Sequence, residues 1–391
     1  MITIHEVLTR GVDSVYPSRN ELMSLMKTRR ITLYQGFDPS MPSLHLGNFV
    51  GLMKLRQFQK LGHKVIFLVG DFTGMIGDPT DKLATRKKLT REEVLENAKS
   101  WKEQAARVLD FEGDNPATFE FNSRWLDDVT FKDLIEITSN LTVQQMIERD
   151  MFQKRLKENK PIFLHEFLYP VAQGYDSVAM DVDLEIGGSD QIFNMLVGRT
   201  LMRAIKSKDK FVLATKLLVD KEGKKVGKTT GNALFLDSTP NDFYAGVMSF
   251  PDEVITLGFE LLTEIDLDGI EEKVAENPMR EKKRLAFEIV RFLWGEKAAK
   301  RAEMEFSETF QRQGRPQDIK VIQIPADNIS LLDLITATGE VKSKSEIKRL
   351  ILQKAVEIDG QTMVNPLEDI NLSRGVIIKI GKKKFIRAVS K

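Results

Sequence analysis

The sequence predicts an α/β protein: a doubly wound, parallel-sheet domain, then an α-helical domain, then a small α+β domain. Three observations carry that expectation. Residues 31–69 read as strand, loop, helix, strand, and residues 183–196 repeat strand, glycine turn, helix. From residue 330 short helices and strands follow in a markedly basic segment. Val341 to Lys391 holds 12 Lys and Arg against 5 acids, whereas the preceding 340 residues hold 46 against 52. A basic tail on an acidic body suits a polyanion-binding module appended to something else.

Taken in order, residues 1–30 read as a leader with a helix near 18–28. Alternation in Ile31-Thr32-Leu33-Tyr34 predicts a strand over 31–37, which Gly36, Asp38, Pro39 and Pro42 break into a loop. From Leu46 apolar residues recur at helical spacing (Phe49, Val50, Met53, Phe58, Leu61), with Gly62 as C-cap. The apolar run Val65-Ile66-Phe67-Leu68-Val69 reads as a strand covered on both faces and completes a βαβ unit. GDFTGMIGDPTDK at 70–82 is then a loop at a strand's carboxyl end, where open α/β sheets bind ligands.

An amphipathic helix is expected over 90–110 and more helices over 125–160. They interrupt the alternation, so about 110–160 reads as an insertion. A helix through 165–176, a strand at 183–186 and the turn GGSDQ at 187–191 resume it. Residues 238–318 read as amphipathic helices, GRPQDIK at 314–320 as a linker, Leu331–Thr338 and Lys344–Gln353 as helices, and Val356–Ile358 and Val376–Ile380 as strands. Domains are therefore expected at 1–229, 230–320 and 330–391.

With no cysteine, disulfides and thiolate metal sites are excluded, and four histidines far apart offer no zinc set. No protein-bound metal is expected. The N-terminus lacks the apolar run of a signal peptide and no run approaches membrane length, so a cytoplasmic enzyme is expected.

Four stretches carry chemistry. In LYQGFDPSMPSLHLGN (33–48), His45 and Asn48 lie on one face of a helix's first turn, where unpaired N–H groups favour an anion. Gly47 between them would let a flat ring or sugar approach the backbone. The plainer alternative is that His45 and Asn48 only cap the helix. Asp78 can hold an ammonium group from its loop, or merely turn the chain before Pro79. In HEFLYPVAQGYD (165–176), Tyr169, Gln173 and Asp176 form one polar stripe without a lysine, which suits a lined pocket. In GGSDQ, Gly188 allows close approach, Asp190 can accept from ribose hydroxyls, and Gln191 can bond a carboxyl or carbonyl group. Finally, KEGKKVGKTTGN (221–232) is a cationic loop whose lysines can reach a pyrophosphate leaving group.

Together these stretches resemble the class I aminoacyl-tRNA synthetases, in particular their bacterial tyrosine-specific branch, from near residue 30 to the C-terminus. HLGN is similar to the HIGH signature, with Asn48 for the second His. GFDPS resembles the tyrosine branch, with Ser40 where Thr is common. KVGKT resembles KMSKS, with Lys225, Lys228 and Thr229 kept and Val226 and Gly227 departing; Lys224 competes with Lys225 for the first lysine's role. SKSEIKRLILQKAVEIDG resembles an RNA-binding module of a small-subunit ribosomal protein.

The resemblance implies a Rossmann-like catalytic domain that forms tyrosyl-adenylate from L-tyrosine and ATP and charges tRNA-Tyr. It implies Tyr34 and Asp176 at the phenolic hydroxyl, and Asp78, Tyr169 and Gln173 at the α-ammonium, with Gln191 also on tyrosine. It implies Gly36, Asp38, Ser40, His45, Gly47, Asn48, Gly188, Asp190 and Lys228 at ATP, with Mg²⁺ travelling on the nucleotide. It also implies a homodimer joined through the insertion. Lys344, Lys348 and Arg349 are expected on one helical face, suited to RNA phosphates. A tryptophan-specific relative is the nearest rival, against which Tyr34 with Asp176 argues for a phenol; a non-catalytic RNA-binding protein on the same scaffold is the other.

Overall fold

The computed structural model describes residues 2–79, 89–227, 234–308, 320–341, 343–359, 361–372, 375–381 and 384–390. The chain divides into two compact units, Met1–Ala299 and Lys300–Lys391.

The larger unit is built on a six-stranded sheet: β1 (Val12–Tyr16), β2 (Thr32–Phe37), β3 (Lys64–Val69), β4 (Thr118–Phe121), β5 (Leu184–Gly188) and β6 (Phe211–Thr215). Their order across the sheet is β1-β6-β5-β2-β3-β4. All pairings are parallel except β1 on β6. From β2 the chain winds outward through β3 and β4, and β5 then restarts on the other side. The order reverses between β2 and β5, so a crevice is expected outside their carboxyl ends. Register sets Tyr34 beside Glu185 across that junction.

The expected strands over 31–37, 65–69 and 183–186 are present with shifted ends. Three strands lie outside the expectation. The leader contributes β1 as well as the helix Arg19–Thr28; the insertion contributes β4, and β6 follows the second crossover helix, Ile192–Lys206. The helix expected over 90–110 is two, Arg91–Ala98 and Trp101–Ala105. The break at Ser100 lets Trp101 Nε1 donate to the Pro42 carbonyl at 3.2 Å, while Gln104 Oε1 accepts from the Leu44 N–H at 2.8 Å. These contacts pin the loop that leads to His45.

Of the helical region expected as a separate domain over 230–320, the described residues up to Ala299 fall in this unit. Arg10, buried, donates to the carbonyls of Phe259, Glu260, Thr263 and Ile265 at 2.6–3.0 Å. Beside it Lys54, on the helix Leu46–Lys60, donates to the carbonyls of Val7 and Arg10 and to Gln57 Oε1 at 2.6–2.8 Å. Burial, reinforced by the Arg10 charge, lowers the Lys54 ammonium from 10.5 to about 7. Between pH 7 and 10.5 the unfolded chain therefore holds a proton that the folded chain has released, and stability rises with pH across that window. The stability difference between the parent and Lys54→Met, from chemical denaturation, is expected to move in the parent's favour between pH 7 and 9, by at most about 1.4 kcal/mol per pH unit. A difference independent of pH would contradict it.

The smaller unit holds β7 (Lys320–Ile324), β8 (Asn328–Ser330), β9 (Val356–Ile358), β10 (Gln361–Thr362), β11 (Asp369–Asn371), β12 (Val376–Ile380) and β13 (Lys384–Ser390). A five-stranded sheet runs β10-β9-β12-β13-β7, and β11 pairs with β8. The helices Leu331–Thr338 and Lys344–Leu352 send Leu334, Ile335, Ile347 and Ile351 into one core with Val356, Ile378 and Ile386. Because β7 pairs with β13, this sheet begins near 320 rather than at the expected 330. No described helix is long and apolar enough to cross a membrane.

Candidate active site

Most of the expected residues lie on β2 and β5 or on the segments that follow them and pack beside them. His45 caps the helix Leu46–Lys60 in a reciprocal box: the Asn48 N–H donates to His45 Nδ1 at 3.2 Å, and the His45 N–H to Asn48 Oδ1 at 2.9 Å. So the plainer alternative holds as local structure. It also fixes the ring: with Nδ1 accepting, Nε2 carries the proton of the neutral imidazole. The missing side chain of Gly47 also makes room for this ring, since a Cβ there would stand 2.9 Å from His45 Cε1.

Asp38, where β2 ends, accepts from Thr73 Oγ1 at 2.7 Å and from the Tyr169 hydroxyl at 2.8 Å. Gly70 lies so close that a Cβ would collide with the Asp38 carboxylate. Gly36 lies within β2, and Ser40 stands exposed beyond it, its N–H on the Asp38 carbonyl at 2.8 Å.

The expected stripe is one face of a longer helix, His165–Met180. It packs closely on Ile192–Lys206, because a Cβ on Gly174 would stand 3.1 Å from the Gly198 nitrogen. Tyr169 and Asp176 are buried. Asp176 accepts from Trp125 Nε1 at 2.8 Å and Asn122 Nδ2 at 3.3 Å. Burial pushes its carboxyl well above the usual range, against the pull of those two donors. Tyr34, fully buried, does not bond Asp176: its hydroxyl sits 2.9 Å from Ser177 Oγ. Gln173 donates through Nε2 to Glu185 Oε1 at 2.9 Å, and its own Oε1 is buried without a partner.

Asp78 accepts from Gln191 Nε2 at 2.7 Å, and Gln191 Oε1 accepts from Asn194 at 2.8 Å. Arg149 lies 3.8 Å from Asp78 and stacks over Phe152 and Phe193. Asp190, in the turn after Gly188, receives Lys225 Nζ at 2.6 Å. Lys224 instead pairs with Glu222. The lysine loop is seated on the first motif: the Leu234 N–H donates to the Gly227 carbonyl at 3.1 Å, and the Leu46 N–H to the Leu234 carbonyl at 2.9 Å. Gly227 has φ +78°, and a Cβ there would meet Leu46 at 2.8 Å. That explains glycine at this departure from the signature. Lys228 and Thr229 lie outside the described residues.

Sequence reasoning missed Thr73, Asn122, Trp125, Arg149, Ser177, Glu185 and Lys210. Only Glu185, an acid inside an apolar strand, carried a local signal. In the smaller unit Lys344, Lys348 and Arg349 are all exposed. Lys344 and Lys348 share a helix face, whereas Arg349 lies about a quarter turn round; Lys344 pairs with Asp333 at 3.0 Å.

The family model for tRNA synthetases class I (W and Y) matches residues 26–311. The chain is 41% identical to a tyrosine–tRNA ligase of Aquifex aeolicus over 98% of both chains. It is 42% identical to one of Thermotoga maritima, over 98% of this chain and 96% of that one. A C-terminally truncated mitochondrial tyrosyl-tRNA synthetase of Coccidioides posadasii aligns with TM-score 0.63 and 25% identity, over 77% of this chain and 90% of that one. The chain belongs to the tyrosine–tRNA ligases, within the class I tRNA synthetases.

Proposed function

We propose that this chain activates L-tyrosine with ATP, releases pyrophosphate, and transfers tyrosine to the 3′ end of tRNA-Tyr. The observation that carries the site assignment is the buried polar face of Tyr169, Gln173 and Asp176 opposite Asp38, at the point where strand order reverses. The phenolic hydroxyl of tyrosine lies between Asp176 and Tyr34, and Asp78, Tyr169 and the unpartnered Gln173 Oε1 receive the α-ammonium. Gln191 stands at the carboxyl end of the amino acid.

The tyrosine carboxylate attacks the α-phosphorus in line, and pyrophosphate leaves. The carboxylate is already ionised, so no general base is needed; positioning and electrostatic stabilisation supply the catalysis. His45 Nε2–H and the Asn48 amide donate to the phosphates while their cap holds them in place. Lys225 exchanges Asp190 for phosphate oxygens as charge develops, and Lys228 and Thr229 act from the same loop. Gly36, Asp38, Ser40, Gly47 and Gly188 border the nucleotide, and Asp190 then accepts from its ribose. Mg²⁺ enters on the ATP phosphates as part of the substrate.

Residues 1–229 supply this chemistry, 230–320 the arm toward the anticodon stem, and the smaller unit, through Lys344, Lys348 and Arg349, holds tRNA phosphates. Phe131, Ile135 and Val143 in the insertion, with Phe163 and Leu164 just after it, are exposed, and a second copy covers them in a cytoplasmic homodimer. Amino-acid-dependent exchange of labelled pyrophosphate into ATP tests the first half-reaction. Exchange with tyrosine and not with tryptophan or phenylalanine is expected; exchange driven by tryptophan would overturn the assignment.

A further inference from the structure

Lys225 sits on a small hairpin whose supports the mechanism does not use. Residues 218–226 close on themselves: the Val226 N–H donates to the Leu218 carbonyl and the Asp220 N–H to the Lys224 carbonyl, each at 2.9 Å. Asp220 Oδ1 accepts from the N–H groups of Glu222 and Lys224 at 3.0 and 2.9 Å, and Gly223 turns the chain at φ +75°. These bonds make the hairpin one stiff piece, so Lys225 stands where the supports of that piece put it. One support is Asp190, which takes Lys225 Nζ. Two more lie on one helical segment, the turn Asp252–Val254 and the helix Ile255–Leu262 that continues it. At the hairpin's tip Glu253 accepts from the Lys221 N–H at 3.1 Å, with Lys221 Nζ 3.6 Å away. At its root Lys216 Nζ donates to both Glu260 oxygens, at 2.8 and 3.0 Å.

That helical segment is itself held fast. Lys282 donates to Asp252 Oδ1 at 2.5 Å, and the Gly11 N–H donates to Glu260 Oε1 at 2.9 Å. Arg10 grips the carbonyls of Phe259 and Glu260, and Lys54 grips the carbonyl of Arg10 at 2.6 Å. Lys54 lies on the helix that His45 caps, so His45 and Lys225 are carried by one bonded frame. When Lys225 leaves Asp190 for the phosphates, Glu253 and Glu260 are left holding the tip and the root of its hairpin. We propose that Glu253 and Glu260 are positioning residues that keep Lys225 within reach of the pyrophosphate once the nucleotide has taken Asp190. Neither touches substrate. The Glu253 bond is to a backbone N–H, and a charged acceptor makes such a bond stronger than a neutral one. This rests on the placement of Lys225 at the phosphates given above.

The test measures adenylate formation by the full chain, and the reverse reaction of tyrosyl-adenylate with pyrophosphate. Glu253→Ala and Lys216→Met are each expected to lower kcat for adenylate formation about three- to tenfold, the size of one hydrogen bond, with the KM for tyrosine unchanged. In the reverse reaction each raises the KM for pyrophosphate by a similar factor. Glu253→Gln, whose amide oxygen still accepts the Lys221 N–H, stays within about twofold of the parent. In the Lys225→Met background Glu253→Ala adds nothing further, because the group it positions is gone. Should Lys216→Met fail to fold, the half-exposed Glu253 decides. A Glu253→Ala variant with the parent's kcat, a loss that falls on the KM for tyrosine, or losses that multiply in the Lys225→Met background would overturn the proposal. If Lys225→Met itself activates tyrosine at the parent's rate, the placement of Lys225 fails and takes this inference with it. If Lys225→Met is slow and Glu253→Ala is not, the support by Glu253 alone fails.

Discussion

Asp176→Ala is expected to cut kcat/KM for tyrosine activation about 10²- to 10³-fold, or about 3–4 kcal/mol, while phenylalanine activation changes little. The carboxyl is buried, and its two oxygens accept from Trp125 and Asn122, so its orientation is fixed before substrate arrives. Deleting it leaves the substrate hydroxyl, the indole N–H and the amide without their acceptor in a dry pocket. Phenylalanine brings no hydroxyl, so it loses nothing comparable. A site built to bond a hydroxyl rejects the analogue that lacks it, and tyrosyl synthetases are themselves the standard instance of that rule. Activation assays with both amino acids check it; a variant that keeps the parent's preference for tyrosine would place the pocket elsewhere.

The parts of this site that the sequence made legible are those whose role shows within a few residues. The strand–loop–helix through His45, the glycine turn before Asp190 and the spacing of Tyr169, Gln173 and Asp176 each declare themselves locally, because turn residues and helical period are local properties. Gly47 marks the limit of such local reading. A missing Cβ makes room, but only the fold says whether a ligand or the neighbouring imidazole takes it. Lys210 was illegible because a lysine at a strand's edge reads as solvated. Its burial depends on Glu185, Ser177 and Gly198, on three other elements. The edge strands β1 and β4 escaped because each is short and its burial pattern mostly half-exposed, so neither alternation nor an apolar run marks it. Asn122 and Trp125, which aim Asp176, sit in the insertion, where nothing in the local pattern points to a site 50 residues later.

The second large effect concerns RNA. The basic excess lies beyond residue 341, in a unit with its own apolar core, and the polar groups around Asp38 and Asp176 all lie in the other unit. A chain stopped after residue 308, ahead of β7, is therefore expected to keep amino-acid activation near the parent's rate. Its kcat/KM for tRNA is expected to fall by about two orders of magnitude or more at physiological salt, because each lost phosphate contact also forfeits released counterions. Both consequences are read side by side, activation by pyrophosphate exchange and charging by esterification of labelled tyrosine to tRNA, with tryptophan as the control, in the full chain and the shortened one. Charging with tyrosine alone by the full chain, and a collapse of charging with activation intact in the shortened chain, is the expected result. A full chain that activates tyrosine yet leaves tRNA uncharged, or that charges tRNA with tryptophan, would contradict the assignment.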